Sequence, residues 1–273
     1  MTGDLRKEAD MGGWIPQGFA SREAWREHVL SRGCYDAREN ERIFNKWFRN
    51  APKVVFRRAD ALYDLRRQTL CDVGCCYGAN LFFSRPDSYG LEMNGNYVRF
   101  ARGLGLNVHE RNVVEDDLTD LPRVDVVWCS AVIEHVDSPH ILLRKLHLLL
   151  KPRGLLLLFA PIFPLVSSLS RLPRYGKNFT SHLHDDHVSA FTTKTLRFTC
   201  ERAGFETVEL TALYRRPFSV FNRTLFLPAT CMYVGRARAD WDYPTNSSRR
   251  SATNVKGFIS RNGGRPFEAD PDA

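Results

Sequence analysis

The stretch TLCDVGCCYG, residues 69–78, determines how the rest of the sequence is interpreted. It surrounds one acid, Asp72, with two glycines and three cysteines: Gly74, Gly78, Cys71, Cys75 and Cys76. The cysteines suggest a metal or redox site, but structural zinc needs four converging ligands, usually supplied as two short-spaced pairs. The stretch has no C-x-x-C spacing and the chain has no second cysteine pair, so this interpretation is disfavoured.

The glycines fit a ligand-binding turn better. An apolar strand ends at Asp72 and Val73, Gly74 opens a turn, Gly78 closes it, and ANLFFSR (79–85) is expected to begin a helix. A strand, tight turn and helix in this order are typical of nucleotide-binding units. Small residues in the turn let a ligand approach the backbone closely.

The acids indicate which ligand binds. Glu92 ends the next strand, about twenty residues on, where an acid can accept hydrogen bonds from both hydroxyls of a ribose. Asp72 leads the turn itself, and a carboxylate there would repel the phosphates of a dinucleotide. It would stabilise the sulfonium and amino groups of S-adenosylmethionine, so that cofactor is favoured over a nicotinamide dinucleotide.

Short apolar runs alternate with helical patterns from residue 69 onward. This rhythm predicts an α/β fold with a parallel sheet covered on both faces. The predicted strands are TLCDV (69–73), SYGLE (88–92), LNVHE (106–110), VDVVWC (124–129), LLLLFA (155–160), ETVELTALY (206–214) and ATCMYVGRA (229–237).

Three segments are predicted along the chain. Residues 1–66 form an N-terminal helical extension or cap, 67–237 the main domain, and 238–273 a mobile polar tail. The connection 162–180 is long and mixes apolar with basic residues. It is interpreted either as a lid that contacts the acceptor or a membrane surface, or, preferably, as an insertion packed on the N-terminal helices.

These motifs, taken together, resemble those of the class I S-adenosylmethionine-dependent methyltransferases, and most closely their small-molecule branch that includes quinone-biosynthesis enzymes. DVGCCYG resembles the first motif of that family, with Cys76 in place of the middle glycine. RNVVEDDLTDLP (111–122), VDVVWCSAVIEHVDSP (124–139) and LKPRGLLLLFAP (150–161) follow in the family's order. The resemblance implies a Rossmann-like seven-stranded sheet, order 3-2-1-4-5-7-6, with strand seven antiparallel.

The resemblance also implies a cofactor site for S-adenosylmethionine. Asp72, Gly74 and Gly78 form the turn under the methionine half, Glu92 holds the ribose, and Asn112 and Val113 frame the adenine. The full predicted set is Asp72, Gly74, Cys75, Cys76, Gly78, Glu92, Met93, Asn112, Val113, Cys129 and Ser130.

Two histidines are candidates for handling an acceptor proton, His135 after the fourth strand and His187 before a later helix. Either could instead hydrogen-bond a loop. Glu134 could help to bind a metal, and HLHDDH (182–187) is rich in ligand types. Because six successive residues cannot all point at one ion, no metal is predicted.

The charge, the cysteine count and the first residues of the sequence limit which partners and which location can be expected. The net charge of +8 is spread along the chain, so nucleic acid is an unlikely partner. The resemblance implies a small organic acceptor, and oxygen is the acceptor atom we expect. A membrane surface is an alternative that is not favoured. Seven cysteines, an odd number, and an opening without a signal-peptide pattern predict reduced thiols and a cytoplasmic location. The alternative function is a catalytically inactive binding or regulatory subunit.

Overall fold

The computed structural model describes residues 14–162, 187–213 and 229–241. One seven-stranded sheet has the order β3-β2-β1-β4-β5-β7-β6. Its strands are β1 (Leu70–Val73), β2 (Tyr89–Glu92), β3 (Val108–Glu110), β4 (Val124–Ser130), β5 (Leu150–Ile162), β6 (Phe205–Leu213) and β7 (Ala229–Ala237). β7 is antiparallel to both neighbours and all other pairs are parallel. The predicted Rossmann-like sheet, its order and its antiparallel strand are confirmed.

The described helices are α1 (Arg22–Arg32), α2 (Ala37–Ile43), α3 (Val54–Tyr63), α4 (Gly95–Gly103), α5 (Pro139–Leu149) and α6 (Thr193–Arg202). A π-helical turn, Phe44–Phe48, continues α2. Side chains cap several N-termini: Ser21 accepts a hydrogen bond from Ala24 N before α1, and Thr192 forms a capping box with Thr195 before α6. These caps define the first residues of α1 and α6. The helices α1–α3 precede the sheet in the chain, as predicted.

The sheet buries both faces, as the apolar runs predicted. Leu155, Leu157 and Phe159 of β5 belong to a core shared with α1, α3 and α4. Leu156 and Leu158 point the other way, into a core shared with α5 and α6. Because side chains alternate along a strand, one five-residue apolar run supplies two separate cores.

The prediction that ANLFFSR (79–85) begins a helix is wrong. The structure has only a single 3-10 turn there, Leu81–Phe83, and all three of its residues are buried. Pro86 disfavours helical backbone at Arg85, so the turn cannot be extended. Phe82 and Phe83 instead pack against Trp25 of α1 at ring-centroid distances of 5.5 and 5.6 Å. The 3-10 turn therefore packs directly on the N-terminal helices.

Several predicted features fall on residues that the structure does not describe. Residues 163–180 of the long connection, 182–186 of HLHDDH and 242–273 of the tail lie outside the described residues. Near the tail's start, Arg238 N donates to Gly204 O, and Trp241 lies against Gly204. Among the described residues, no helix is both long and apolar enough to cross a bilayer. The three segment boundaries remain predictions.

Trp25 offers a test of the shared core. Its side chain is fully buried and contacts four aromatic rings, those of Phe44, Phe48, Phe82 and Phe83. Trp25→Ala should lower the free energy of unfolding by about 3–5 kcal/mol, because it leaves a large cavity. The exposed Phe198 of α6 is the control, and Phe198→Ala should cost less than about 1 kcal/mol. Urea unfolding measures the free energy of unfolding of both variants. If both lost a comparable amount, the N-terminal helices would not be part of the core.

Candidate functional site

The turn after β1 has the backbone that its glycines predicted. Gly74, Cys76 and Gly78 all have positive φ angles, of 66°, 51° and 77°. A Cβ atom on Gly74 would lie 2.6 Å from Val132 Cγ2, in the turn that follows β4. Position 74 therefore requires glycine for two reasons: the backbone is left-handed there, and a side chain would collide with the neighbouring turn. Cys76 holds a left-handed conformation that costs about 1–2 kcal/mol for an L-residue.

Glu92 ties this turn to the end of β2. Its Oε2 accepts a hydrogen bond of 2.9 Å from Cys76 N, and its Oε1 accepts one of 2.8 Å from Asn94 N. The side chain is only 7% exposed. A carboxylate offers about four acceptor positions, so two remain for hydroxyl donors such as those of a ribose.

Asp72 lies deeper, at the end of β1, and is 3% exposed. Burial raises the pKa of its carboxyl to about 7, and the charge of Glu92 adds to that rise. A hydrogen bond of 3.1 Å from Asn80 Nδ2 and the positive charge of Lys53 act in the opposite direction on this pKa. A cation bound beside Asp72 would favour its charged form.

The cysteines of the turn are protonated thiols. Burial raises the pKa of Cys76 to about 12 and that of Cys75 well above its ordinary value. Cys75 also fills space over the sheet, since a Cβ on Gly90 would lie 2.5 Å from its Sγ. All seven cysteines are free. Thiols with raised pKa values are poor nucleophiles, and within the described part of the chain none of these cysteines belongs to a group that could hold a metal ion.

The predicted adenine side lies at the ends of β2 and β3. Met93 is 68% exposed beside Glu92. Asn112 forms a local turn, with its Oδ1 accepting from Val114 N at 3.0 Å and its N donating to Asp116 Oδ2 at 2.7 Å. Val113 is buried in the core below. Arg111 N donates to Glu92 O, which holds this loop against the end of β2.

At the end of β4, Cys129 is fully buried and Ser130 is half-buried. Burial, followed by the charges of Glu134 and Asp72, raises the pKa of Cys129 well above its ordinary value. Both acids therefore lie close enough to this thiol to disfavour its charged form. Cys129 is inaccessible, whereas Ser130 is partly exposed.

The structure brings His135 and His187 together although 51 residues separate them in sequence. Their ring centroids are 4.7 Å apart and their planes are inclined by 77°. Glu134, 2% exposed, belongs to the same cluster: one ligand atom from each of the three residues lies within 4.8 Å of the others. This is the one such group of metal-ligand types among the described residues.

Sequence reasoning missed the contribution of the N-terminal helices to this region. Tyr77, inside the turn, packs on Trp47 at 5.7 Å and on Tyr97 of α4 at 4.5 Å between ring centroids. Lys53, just before α3, acts on the pKa values of both Asp72 and Cys76. The sequence predicted a helical cap over residues 1–66, but not that its side chains would contact this turn.

Comparison with known proteins agrees with this arrangement. Residues 37–210, well over half of the chain, match the family model described as a methyltransferase domain. The chain belongs to the methyltransferase-domain family. The match begins within α2, so the family pattern includes part of the N-terminal helical region.

Solved structures agree on the fold of this methyltransferase-domain protein. A SAM-dependent methyltransferase from Archaeoglobus fulgidus is 20% identical, with a TM-score of 0.51 over 72% of this chain and 99% of that one. The pyocyanin biosynthetic protein PhzM is 17% identical, with a TM-score of 0.52 over 77% of this chain and 61% of that one. No curated protein sequence matches the chain significantly. At such identities the likeness shows the fold alone.

The double constraint on Gly74 can be tested in this methyltransferase-domain protein by comparison with Gly105. Both have positive φ, but a Cβ on Gly105 would meet nothing within 4 Å. Gly105→Ala should cost about 1–2 kcal/mol of stability, from backbone strain alone. Gly74→Ala should cost at least about 1 kcal/mol more, because of the contact with Val132. In a Val132→Ala background this excess should disappear, and urea unfolding that shows no excess would contradict the assigned contact.

Asp72 should make stability depend on pH. Its folded-state pKa of about 7 lies above the unfolded value of about 3.9, so the folded chain binds more protons between these limits. Its contribution to stability is present below about pH 4 and is lost as the pH rises to about 7. Stability relative to Asp72→Asn should therefore fall by up to about 1.4 kcal/mol per pH unit in this window. Unfolding of both proteins at several pH values measures the difference, and a pH-independent difference would contradict the raised pKa.

Proposed function

We propose that this protein is an S-adenosylmethionine-dependent methyltransferase that methylates an oxygen atom of a small organic acceptor. The observation that carries the proposal is the pair of buried acids, Asp72 and Glu92, on either side of the left-handed turn after β1. The family match and the motif order support a methyltransferase, and the motif resemblance favours the quinone-biosynthesis-like branch.

The residues present fit this cofactor. Glu92 keeps two acceptor positions for the ribose hydroxyls, and its backbone hydrogen bonds fix the carboxylate in place. Asp72 supplies negative charge near the methionine half, where the cofactor carries its sulfonium and amino groups. Gly74, Cys75, Cys76 and Gly78 line the turn. Met93, Asn112 and Val113 frame the adenine side, and Cys129 and Ser130 support the methionine side.

When bound, the cofactor supplies a methyl group on a positively charged sulfur, a carbon already activated for displacement. The chain's part is to position the acceptor, exclude water and manage its proton. A hydroxyl, like an acidic carbon, usually has to lose a proton as it reacts, whereas a neutral amine does not, and of the two we favour oxygen. His135 and His187, beyond β4 and next to each other, are the groups we assign to that task.

The expected partner is a small molecule rather than a nucleic acid. Basic residues are spread along the chain, and the strand-four end reads CSAVIEH, without the Asn/Asp-Pro-Pro-aromatic motif common in amino methylation of bases. Seven free thiols are typical of a reducing compartment, so we place the protein in the cytoplasm.

The test of the proposal is cofactor binding and turnover. Glu92→Ala should weaken binding of S-adenosylhomocysteine about ten- to hundredfold, since it removes charged hydrogen bonds to the ribose. Glu134→Ala is the matched control, a buried acid at another strand end, and should leave that affinity nearly unchanged. Titration calorimetry measures both, with thermal unfolding of each variant to verify that it is folded. Undiminished binding by Glu92→Ala would contradict the ribose site.

Turnover is measured separately, as S-adenosylhomocysteine formed from labelled cofactor across classes of hydroxyl, amine and carbon acceptors. Product with hydroxyl acceptors supports the proposal. Cofactor binding without product from any acceptor class would favour a binding or regulatory subunit that has kept the fold.

A further inference from the structure

Glu134, His135 and His187 form a compact cluster beyond the end of β4. We propose that this cluster binds a divalent transition-metal cation of the zinc type, with one carboxylate and two imidazoles as its protein ligands. The cluster combines the residue types that hold catalytic zinc, in which three protein ligands leave at least one coordination position open.

The distances suit an ion after a small adjustment. One ligand atom from each residue lies within 4.8 Å of the other two. Ligands about 2.0–2.1 Å from a shared tetrahedral zinc lie roughly 3.3 Å apart. The remaining gap is about 1.5 Å at most, which side-chain rotation can close. His135 is exposed and His187 half-buried, whereas Glu134 is buried, so the adjustment would come from the two imidazoles while Glu134 supplies the fixed ligand.

The backbone holds the two parts of the cluster together. Val188 N and Ser189 N both donate to Glu134 O, at 2.9 and 3.0 Å. Ser189 Oγ donates to Val136 O at 3.3 Å. These three hydrogen bonds fix residues 188–189 beside the 3-10 turn Ile133–His135. The pairing of His135 with His187 therefore follows from the fold and does not depend on a metal.

The donor set indicates which cation binds. Two imidazole nitrogens and one carboxylate suit zinc, cobalt, iron or nickel, whereas magnesium and calcium prefer sites made of oxygen ligands. We therefore expect Zn²⁺ and Co²⁺ to bind and Mg²⁺ to compete poorly.

The position of the cluster suggests what the cation does. Glu134 and Asp72 both act on the pKa of the buried Cys129, and Val132 packs against Gly74, so the cluster adjoins the turn after β1. This step rests on the proposed function: the cation would bind the acceptor hydroxyl at its open position and lower the pKa of that hydroxyl. His135 and His187 would then act on the acceptor proton through the cation, as its ligands, and not as bases themselves. The proton leaves to solvent, an oxygen lone pair forms the bond to the methyl carbon, and the electrons of the broken carbon–sulfur bond stay on sulfur.

The test uses the full-length chain after removal of metals with a chelator. Co²⁺ titration should give one equivalent per chain, followed by its visible d–d absorption, and added Zn²⁺ should displace it while Mg²⁺ in excess should not. His135→Ala, His187→Ala and Glu134→Gln should each weaken Co²⁺ binding by more than about tenfold, since even indirect partners of metal ligands contribute that much. His135 is exposed, so its variant should fold even if the Glu134 variant does not.

Two control variants separate this site from other histidines. His109→Ala changes a histidine in the middle of β3 and should keep native Co²⁺ affinity. His182→Ala/His184→Ala changes the histidines nearest to His187 in sequence and should also keep it. Binding that survives His135→Ala but is lost in the double variant would overturn the proposal, as would displacement of Co²⁺ by Mg²⁺ at equal concentrations.

The metal site and the proposed function fail in different ways. Glu92→Ala should lose cofactor affinity yet bind Co²⁺ normally, and Glu134→Gln should show the reverse. A chain that binds S-adenosylhomocysteine but no Co²⁺ overturns the metal site and leaves the methyltransferase proposal standing. A chain that binds Co²⁺ but no S-adenosylhomocysteine does the opposite.

Discussion

The contact between the turn after β1 and the turn after β4 is the constraint on which the site depends. The strands β1 and β4 are parallel neighbours, with Val73 opposite Cys129. The turns that follow them therefore leave the sheet at the same level. Gly74 then lies so close to Val132 that no larger residue fits without movement. This contact aligns two loops whose side chains carry different chemistry: the first adjoins the acids Asp72 and Glu92, and the second carries Glu134 and His135.

Electrostatics at this edge favour ligand binding over stability. Asp72 and Glu92 are both buried acids near the same short turn, an arrangement that is costly for two negative charges. The chain stabilises Glu92 with two backbone N–H groups and leaves Asp72 with one amide donor. Because a positively charged ligand would relieve the remaining cost, the strain is of the kind expected at a binding site.

Much of the fold was predictable from local sequence, and the failures have physical causes. Strands such as ATCMYVGRA were identified at their observed bounds, because apolar runs between polar breaks signal buried strands. The prediction for ANLFFSR failed because an apolar run after a glycine turn has the same local pattern whether it forms a helix or a short turn that packs against another element. Its true state was decided by Trp25 and its neighbours, some fifty residues earlier in the chain.

Individual candidate residues of the site could be named from the sequence, but their proximity in space could not. Glu92 could be assigned from its spacing to the turn, and each histidine from its place after a strand or before a helix. That His135 and His187 lie side by side depends on hydrogen bonds from residues 188–189 to Glu134, which leave no trace in the sequence.

The short turn at Leu81–Phe83 has a consequence for how such a chain can evolve. In a modular protein, a cap can be exchanged between relatives because the domain beneath it closes its own core. Here part of one face of the sheet is closed by residues from before β1, so the cap and the sheet must change in concert. New acceptor specificity would then arise more readily by substitutions within the existing helices than by replacement of the whole N-terminal region.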